Sequence, residues 1–100
     1  MKLLFNEQDV IDACCVIAAQ RINGKPEEID VDLQFNPTTG FEANARDMNR
    51  GFQTIHLTEQ NIIDGIIVYL SDYHNFIPER LKVNLEFNKG TGIEAVIVSL

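Results

Sequence analysis

The two halves of this 100-residue chain align with each other without a gap when the sequence is shifted by 52 positions. Residues 5–48 set against 57–100 give 16 identical pairs over 44 positions. Residues 52 positions apart are called mates below. This similarity indicates a tandem duplication within a single domain, with a first unit at 1–48 and a second unit at 53–100. Because repeated units bury their apolar faces against each other, we predict that the two units superpose about a pseudo-twofold axis.

Each unit has the sequence pattern of a strand, a helix and two further strands. Asn6 and Thr58 are the predicted N-caps, because their side-chain oxygens can accept hydrogen bonds from the first turn of a helix. Apolar residues then recur at helical spacing, and the helices are expected to end near Asn23 and Asn75. Both helices are therefore predicted to start and end at mates.

Strict alternation of apolar and polar residues follows each helix, at 29–35 and 81–87. Such alternation is typical of strands with one buried face, and turn residues at 36–40 and 88–92 predict hairpins. The predicted fold class is α+β: a tandem-duplicated β-α-β-β unit with a mainly antiparallel, about six-stranded sheet and two helices on one face. We expect the short first strands to be central, each flanked by the last strand of the other unit. The alternating strands then lie at the edges.

Acidic residues outnumber basic ones, 15 to 8, and the net charge is −7. Nucleic-acid phosphates would be repelled and no segment concentrates basic residues, so nucleic-acid binding is disfavoured. The longest apolar run, residues 13–19, is too short to span a bilayer. The first residues turn polar too early for a signal peptide. The sequence therefore predicts a soluble cytoplasmic protein without membrane partners.

A helix start and a hairpin resemble a known family. Residues 6–13 (NEQDVIDA) and the hairpin segments 31–36 (VDLQFN) and 40–43 (GFEA) resemble the YxcD-like family, small proteins of Bacillus and its relatives. Members have about this length, so the resemblance covers the whole chain. The motifs that carry it are structural: a cap, a helix start and a hairpin. The resemblance implies a bacterial protein and carries over no activity, cofactor or catalytic residue.

The cysteines and histidines form no pattern that indicates a metal or a cofactor. Cys14 and Cys15 have the mates Ile66 and Ile67, so we expect both thiols to be reduced, inert members of the core. The two histidines lie 18 positions apart, which matches no zinc-ligand spacing. No metal ligand, cofactor or catalytic residue is predicted.

Two mated aspartates carry the alternative function. Asp12 and Asp64 each interrupt a nearly continuous apolar helix. If a twofold axis paired them, the carboxylates could share a proton as acid–base dyads do. The alternative is thus a small-ligand binding or catalytic domain with a site between the two helices near Asp12 and Asp64, involving Tyr69 or Tyr73. The simpler interpretation places each aspartate in solvent, one turn after a glutamine.

The units differ in the outward residues of their last strands. At matching positions the first unit has Glu42, Asn44 and Arg46, and the second has Glu94, Val96 and Val98. An apolar patch on an otherwise polar sheet indicates a partner surface. The predicted partner interface comprises Phe52, His56, Val96, Val98 and Leu100, with the first two on the strand beside the patch. Alternatively, the chain end occupies a central strand that its own residues cover on both faces.

The sequence therefore predicts a non-enzymatic protein-interaction module, a homodimer that pairs through the exposed sheet face. A flat apolar face in the structure would favour this function. A pocket lined by titratable side chains would favour the alternative function instead.

Overall fold

Both units fold in the same element order in the computed structural model, which describes residues 1–49 and 54–100. The first unit consists of β1 (Lys2–Phe5), α1 (Glu7–Ile22), a 3-10 turn (Pro26–Glu28), β2 (Ile29–Asn36) and β3 (Gly40–Asp47). The second consists of β4 (Thr54–Leu57), α2 (Glu59–His74), a 3-10 turn (Pro78–Arg80), β5 (Leu81–Asn88) and β6 (Gly92–Ser99). Equivalent elements have equal lengths, so the two-repeat pattern of the sequence is also a structural pattern.

Both helices begin with a capping box. In α1, the Asn6 side chain accepts a hydrogen bond from the Asp9 N–H at 2.8 Å, and the Asp9 carboxylate accepts one from the Asn6 N–H at 3.0 Å. Thr58 and Asn61 form the same reciprocal pair in α2. These bonds satisfy N–H groups that have no partner within the helix. The two predicted N-caps are confirmed.

Each helix ends at an asparagine with left-handed backbone. Asn23 has a φ of 54° and Asn75 a φ of 61°, a conformation that asparagine tolerates better than most residues. Pro26 and Pro78 then begin the 3-10 turns, where the fixed φ of proline suits the first position. The predicted helix ends are confirmed, and each turn leads directly into an alternating strand.

The described strands form two three-stranded antiparallel sheets. The first sheet has the order β2-β3-β4, and the second sheet has the order β1-β6-β5. The first strand of each unit therefore pairs with the last strand of the other: Leu4 lies opposite Val96, and His56 lies opposite Asn44. This exchange of first strands agrees with the sequence prediction, as does the edge position of β2 and β5.

The six described strands are divided between two sheets, whereas we expected β1 and β4 side by side in one continuous sheet. The mates Phe35 and Phe87, on the edge strands β2 and β5, show the difference directly. Their rings stack with centroids 4.7 Å apart and planes inclined by 9°. At opposite edges of a six-stranded sheet they would be about 24 Å apart. The stack instead brings part of the β2 and β5 edges together.

Other mates meet between the helices. The Gln20 amide donates a hydrogen bond to the Asp72 carboxylate at 3.4 Å. Gly65 packs against its mate Ala13 so closely that an added Cβ would lie 3.1 Å from the Ala13 carbonyl oxygen and 3.0 Å from Ile17 Cγ2. Contacts between mates occur where a pseudo-twofold axis passes. These contacts and the phenylalanine stack therefore indicate a pseudo-twofold axis that runs between α1 and α2.

A carboxylate at the start of each helix binds the hairpin of the other unit. Glu7 accepts a hydrogen bond from the Ile93 N–H, and Glu59 accepts one from the Phe41 N–H, both at 3.2 Å. The glycine that begins β6 leaves room for this contact. At Gly92, where φ is +89°, an added Cβ would lie 2.8 Å from Glu7 Oε1. The exchanged strands and these carboxylates together join the two units.

The core lies between the helix pair and the inner faces of both sheets, and each helix contacts strands of both sheets. The largest fully buried apolar side chains are Val10, Leu57, Ile62, Ile66 and Ile97. Alternate residues of β2 and β5 pack against this cluster, as their period-two pattern predicts. In the described part of the chain, neither helix is long and apolar enough to cross a membrane.

Candidate functional site

The outer faces of the two sheets have the same layout, because every outward residue has its mate at the same place in the other sheet. On the first sheet the cross-strand rows are Thr54–Arg46–Asp30, His56–Asn44–Asp32 and Glu42–Gln34. On the second sheet they are Lys2–Val98–Lys82, Leu4–Val96–Asn84 and Glu94–Glu86. The two faces can therefore be compared row by row.

The paired residues that the structure describes on the outer face of the first sheet are all polar. The His56 imidazole Nδ1 lies 3.2 Å from Asn44 Oδ1, and its Nε2 lies 3.7 Å from a Glu42 oxygen. Along the neighbouring strand the Gln34 amide donates a hydrogen bond to Asp32 at 2.9 Å. These side chains bond to one another across the strands. Such a hydrogen-bonded polar surface is typical of a sheet face exposed to water.

The outer face of the second sheet carries an apolar column, formed by Leu4, Val96 and Val98. Leu4 is 72 % exposed, whereas the two valines are half-buried by their neighbours. Lys2 and Lys82 border the Val98 end of the column. Glutamates occupy the row at its other end. The apolar surface predicted from the sequence is therefore present, with opposite charges at its two ends.

The structure brings together only part of the predicted partner interface. Val96 and Val98 share the outer face of the second sheet, and Leu100 follows directly after β6 with 78 % of its surface exposed. His56 lies on the first sheet, because β4 pairs with β3 and not with β6. The expected position of His56 beside the patch is therefore wrong. Phe52 lies outside the described residues.

Leu4 is the residue that the interface prediction omitted. It pairs directly with Val96 on the strand beside β6, where His56 was expected. The sequence held the signal, because Leu4 alternates with the inward residues Leu3 and Phe5 and is the mate of His56. A leucine in the second sheet thus stands where the first sheet has a histidine.

Each of the two mated aspartates is bonded within its own helix. The Gln8 amide donates a hydrogen bond to Asp12 Oδ1, and the Gln60 amide donates one to Asp64 Oδ1, both at 2.9 Å. These are side-chain pairs between successive turns of a helix. The simpler interpretation of the aspartates, one turn after a glutamine, agrees with this geometry.

A groove at the C-terminal end of α2 contains Asp12 together with the tyrosines of the alternative function. It is open to solvent and has a volume of about 490 Å³. The aromatic groove is defined by six of its lining residues: Asp12, Cys15, Glu27, Tyr69, Tyr73 and His74. Asp64 is not among the lining residues, so the groove belongs to one side of the helix pair. The groove is therefore not lined by the pair of Asp12 and Asp64 that the alternative function requires.

The two thiols are in different surroundings. Cys14 is fully buried in the core as predicted, and burial together with the neighbouring Cys15 raises its pKa to about 12. Cys15 is half-buried, borders the aromatic groove and donates a weak hydrogen bond to the Ile29 carbonyl at 3.5 Å. Burial, and then the charges of Asp12 and Asp30, raise the pKa of Cys15 to about 11. Neither thiol forms a reactive thiolate near neutral pH.

We expect both cysteines of the native protein to react slowly with a thiol reagent at pH 7, because both raised pKa values keep the sulfurs protonated. Labelling should become fast only in denaturant, or for Cys15 as the pH approaches its pKa of about 11. Stopped-flow labelling checks this. In a Cys15→Ser variant the remaining Cys14 should be the slower of the two thiols. Native labelling as fast as in denaturant would contradict the burial described here.

Within residues 1–49 and 54–100, no group of three His, Cys, Asp or Glu side chains is arranged to hold a metal ion. Asp47 is the buried charged residue of the described core, and its Oδ1 accepts a hydrogen bond from the Asn49 N–H at 2.8 Å. This bond closes the turn that follows β3. Asp47 therefore has a structural partner in the chain itself.

Comparisons with known proteins agree with the two-unit architecture. A family described as "Protein of unknown function (DUF2653)" matches the chain twice, at residues 1–53 and 52–99. The "Uncharacterized protein YxcD" of Bacillus subtilis (strain 168) is 37 % identical over 98 residues, which cover 97 % of this chain and 93 % of that protein. No solved structure matches the chain. The chain belongs to the DUF2653 family, and its resemblance to the YxcD-like proteins is confirmed.

Proposed function

We propose that the protein is a non-enzymatic interaction module of the cytoplasm that forms a homodimer through the outer face of its second sheet. One observation carries the proposal: at identical positions, the first sheet exposes His56, Asn44 and Arg46, whereas the second exposes the apolar column Leu4, Val96 and Val98. Mated residues face inward in both sheets, and the residues compared here all face outward, so packing against the core does not account for the difference between them. A partner that covers the column provides a reason for it.

The charges beside the apolar column favour a second copy of the chain as the partner. Lys2 and Lys82 lie in the row of Val98, and Glu86 lies with Glu94 in the row four residues away along the strands, on the other side of the Val96 row. A twofold axis parallel to the rows, through the level of Val96, reverses the row order between two stacked faces. The lysine row of one copy then lies over the glutamate row of the other. The charges of the lysine and glutamate rows are thus complementary between the two copies, as an isologous interface requires.

The apolar column supplies the free energy of association. Burying apolar surface contributes about 25 cal/mol per Å² before the costs of association are subtracted. Leu4 contributes the most, because it is exposed in the single chain, and the half-buried valines contribute less. The exposed Leu100 extends the apolar surface beyond the end of β6.

Replacing Val98 with glutamate tests the proposal. Between Lys2 and Lys82 the new carboxylate is tolerated in a single chain, but in the dimer it would face the glutamates of the second copy and would have to be desolvated. The wild type is expected to sediment at twice the chain mass of 11.3 kDa, and Val98→Glu as a folded monomer. Analytical ultracentrifugation measures the mass, and circular dichroism reports the fold.

The matched control is Arg46→Glu, because Arg46 is the mate of Val98 on the polar face. This variant adds a carboxylate at the equivalent position of the first sheet and should leave the dimer intact. A wild-type protein that is monomeric at micromolar concentration would refute the proposal. So would a Val98→Glu variant that dimerises as strongly as the wild type.

A further inference from the structure

The last turns of α2 carry a cluster of aromatic rings centred on Tyr69. The rings of Tyr73 and His74 lie edge to face with it, each with a centroid distance of 5.3 Å and with interplanar angles of 87° and 64°. Phe5 approaches from β1 at 6.1 Å and 82°. Rings at steep angles to one another form the corner of a cage. Tyr73 remains 55 % exposed, so this corner is open to solvent.

Carboxylates line the same groove as the rings. Asp12 on α1 and Glu27 in the first 3-10 turn border the cavity together with Tyr69 and Tyr73. The Gln8 amide holds Asp12 in place through a hydrogen bond of 2.9 Å. None of the lining residues in the described part of the chain is a lysine or an arginine. The groove thus combines aromatic side chains with two carboxylates and, among its lining residues, no lysine or arginine.

The raised pKa of the neighbouring Cys15 thiol agrees with a negative charge in the groove. After burial, the carboxylates of Asp12 and Asp30 are the next cause of the raised pKa of Cys15, whose thiol borders the groove. The groove therefore disfavours a second negative charge. The contribution of the Asp12 carboxylate, apart from that of burial, favours a positive charge.

The aromatic rings are specific to one side of the pseudo-twofold. The mates of the three ring residues in α2 are Ile17, Arg21 and Ile22. The carboxylates Asp12 and Glu27, in contrast, have mates of the same residue type. In the first unit, therefore, the helix packs without aromatic rings at these three positions. The second unit carries three rings there, and packing alone does not call for them.

We propose that the aromatic groove binds a small organic cation, an alkylated ammonium group held against Tyr69 and Tyr73 and neutralised by Asp12 and Glu27. Such cations are attracted to ring faces within about 6 Å of the centroid, and they carry alkyl groups that fit an aromatic corner. A bare metal ion would need more oxygen ligands than two carboxylates provide. The cavity of about 490 Å³ is in the range of small-molecule sites.

Choline and its uncharged carbon isostere, in which carbon replaces the ammonium nitrogen, form the decisive pair of probes. The two molecules have the same shape, so a difference in affinity measures the contribution of the charge. We expect choline to give saturable shifts in the amide NMR spectrum around the groove at constant ionic strength, and the isostere to bind at least about threefold more weakly. Equal affinities, or shifts that do not saturate, would overturn the proposal.

Three variants locate the site. Tyr73→Leu removes an exposed ring and Asp12→Asn removes a charge without changing shape; each should weaken choline binding about two- to fivefold. Asp64→Asn is the matched control, because Asp64 has the same helical surroundings but does not line the groove. Equal weakening by Asp12→Asn and Asp64→Asn would place the cation elsewhere and overturn the assignment. Unfolding temperatures of all three variants confirm that the fold is retained.

Discussion

The variant Ile66→Ala is expected to lose about 2–5 kcal/mol of free energy of unfolding, the largest loss we expect from a single truncation of the core. Ile66 is fully buried in the core between the helices and the sheets. Its removal would lose apolar burial and leave a cavity that the packed helices cannot close. Urea denaturation measures the loss, and an unchanged denaturant slope would show that the unfolded state is the same.

The mate of Ile66 provides an internal comparison. Cys14 is equally buried at the equivalent place of the other helix, but Cys14→Ala removes only a sulfur atom and should cost about 1 kcal/mol. The two variants therefore probe equivalent positions with deletions of different size. Equal losses would contradict the equivalent packing of the mates. A loss below about 1 kcal/mol for Ile66→Ala would contradict its central place in the core.

Reversing the charge of Lys82 or of Glu86 should weaken the dimer, and reversing both should restore it. Lys82 and Glu86 lie four residues apart on the outer face of one strand, about 13 Å, and do not pair within one chain. In the reversed stacking Lys82 of each copy faces Glu86 of the other copy. Lys82→Glu and Glu86→Lys alone each create two like-charge contacts per dimer, which should weaken association about tenfold or more.

The double variant tests the direction in which the two sheets stack. This is a separate question from whether the wild type forms a dimer. Its charges are exchanged but again complementary, so its dissociation constant should return towards that of the wild type. Sedimentation equilibrium of all four proteins forms a double-mutant cycle. If the double variant remains as weak as the single ones while the wild type is dimeric, the sheets stack in another orientation.

Local sequence chemistry predicted the elements of this fold well. Asn6 and Thr58 could be identified as N-caps because their bonding partners lie three residues away in the chain. The strand alternation of β2 and β5 could be read because one face of each strand is buried. The exchange of first strands was also predictable, because the first and last strands of a duplicated unit must find partners. All of these features depend on short segments or on the repeat itself.

The features that were not predicted depend on contacts between distant segments. The separation into two sheets is accompanied by the stacking of Phe35 on Phe87, a contact between distant segments that alternation alone does not reveal. The expected place of His56 beside the patch disagreed with the exchange of first strands, which pairs β4 with β3 and β1 with β6. The aromatic groove likewise combines Tyr69 and Tyr73 with Asp12 and Glu27, which the fold alone brings together. The sequence could name the tyrosines but not their surroundings.

Because the first strands are exchanged, the two sheets can assemble at different times during protein synthesis. When β4 leaves the ribosome, its partner β3 has already been made, so the first sheet can assemble while the chain is still growing. β1 must wait for β6, and every residue from 6 to 91 is translated in between. Such a distant pairing closes late, since the entropy of the long intervening loop opposes it. Two strands that are equivalent in the finished protein are therefore unequal on the ribosome, where β1 remains an unpaired edge until the second sheet closes.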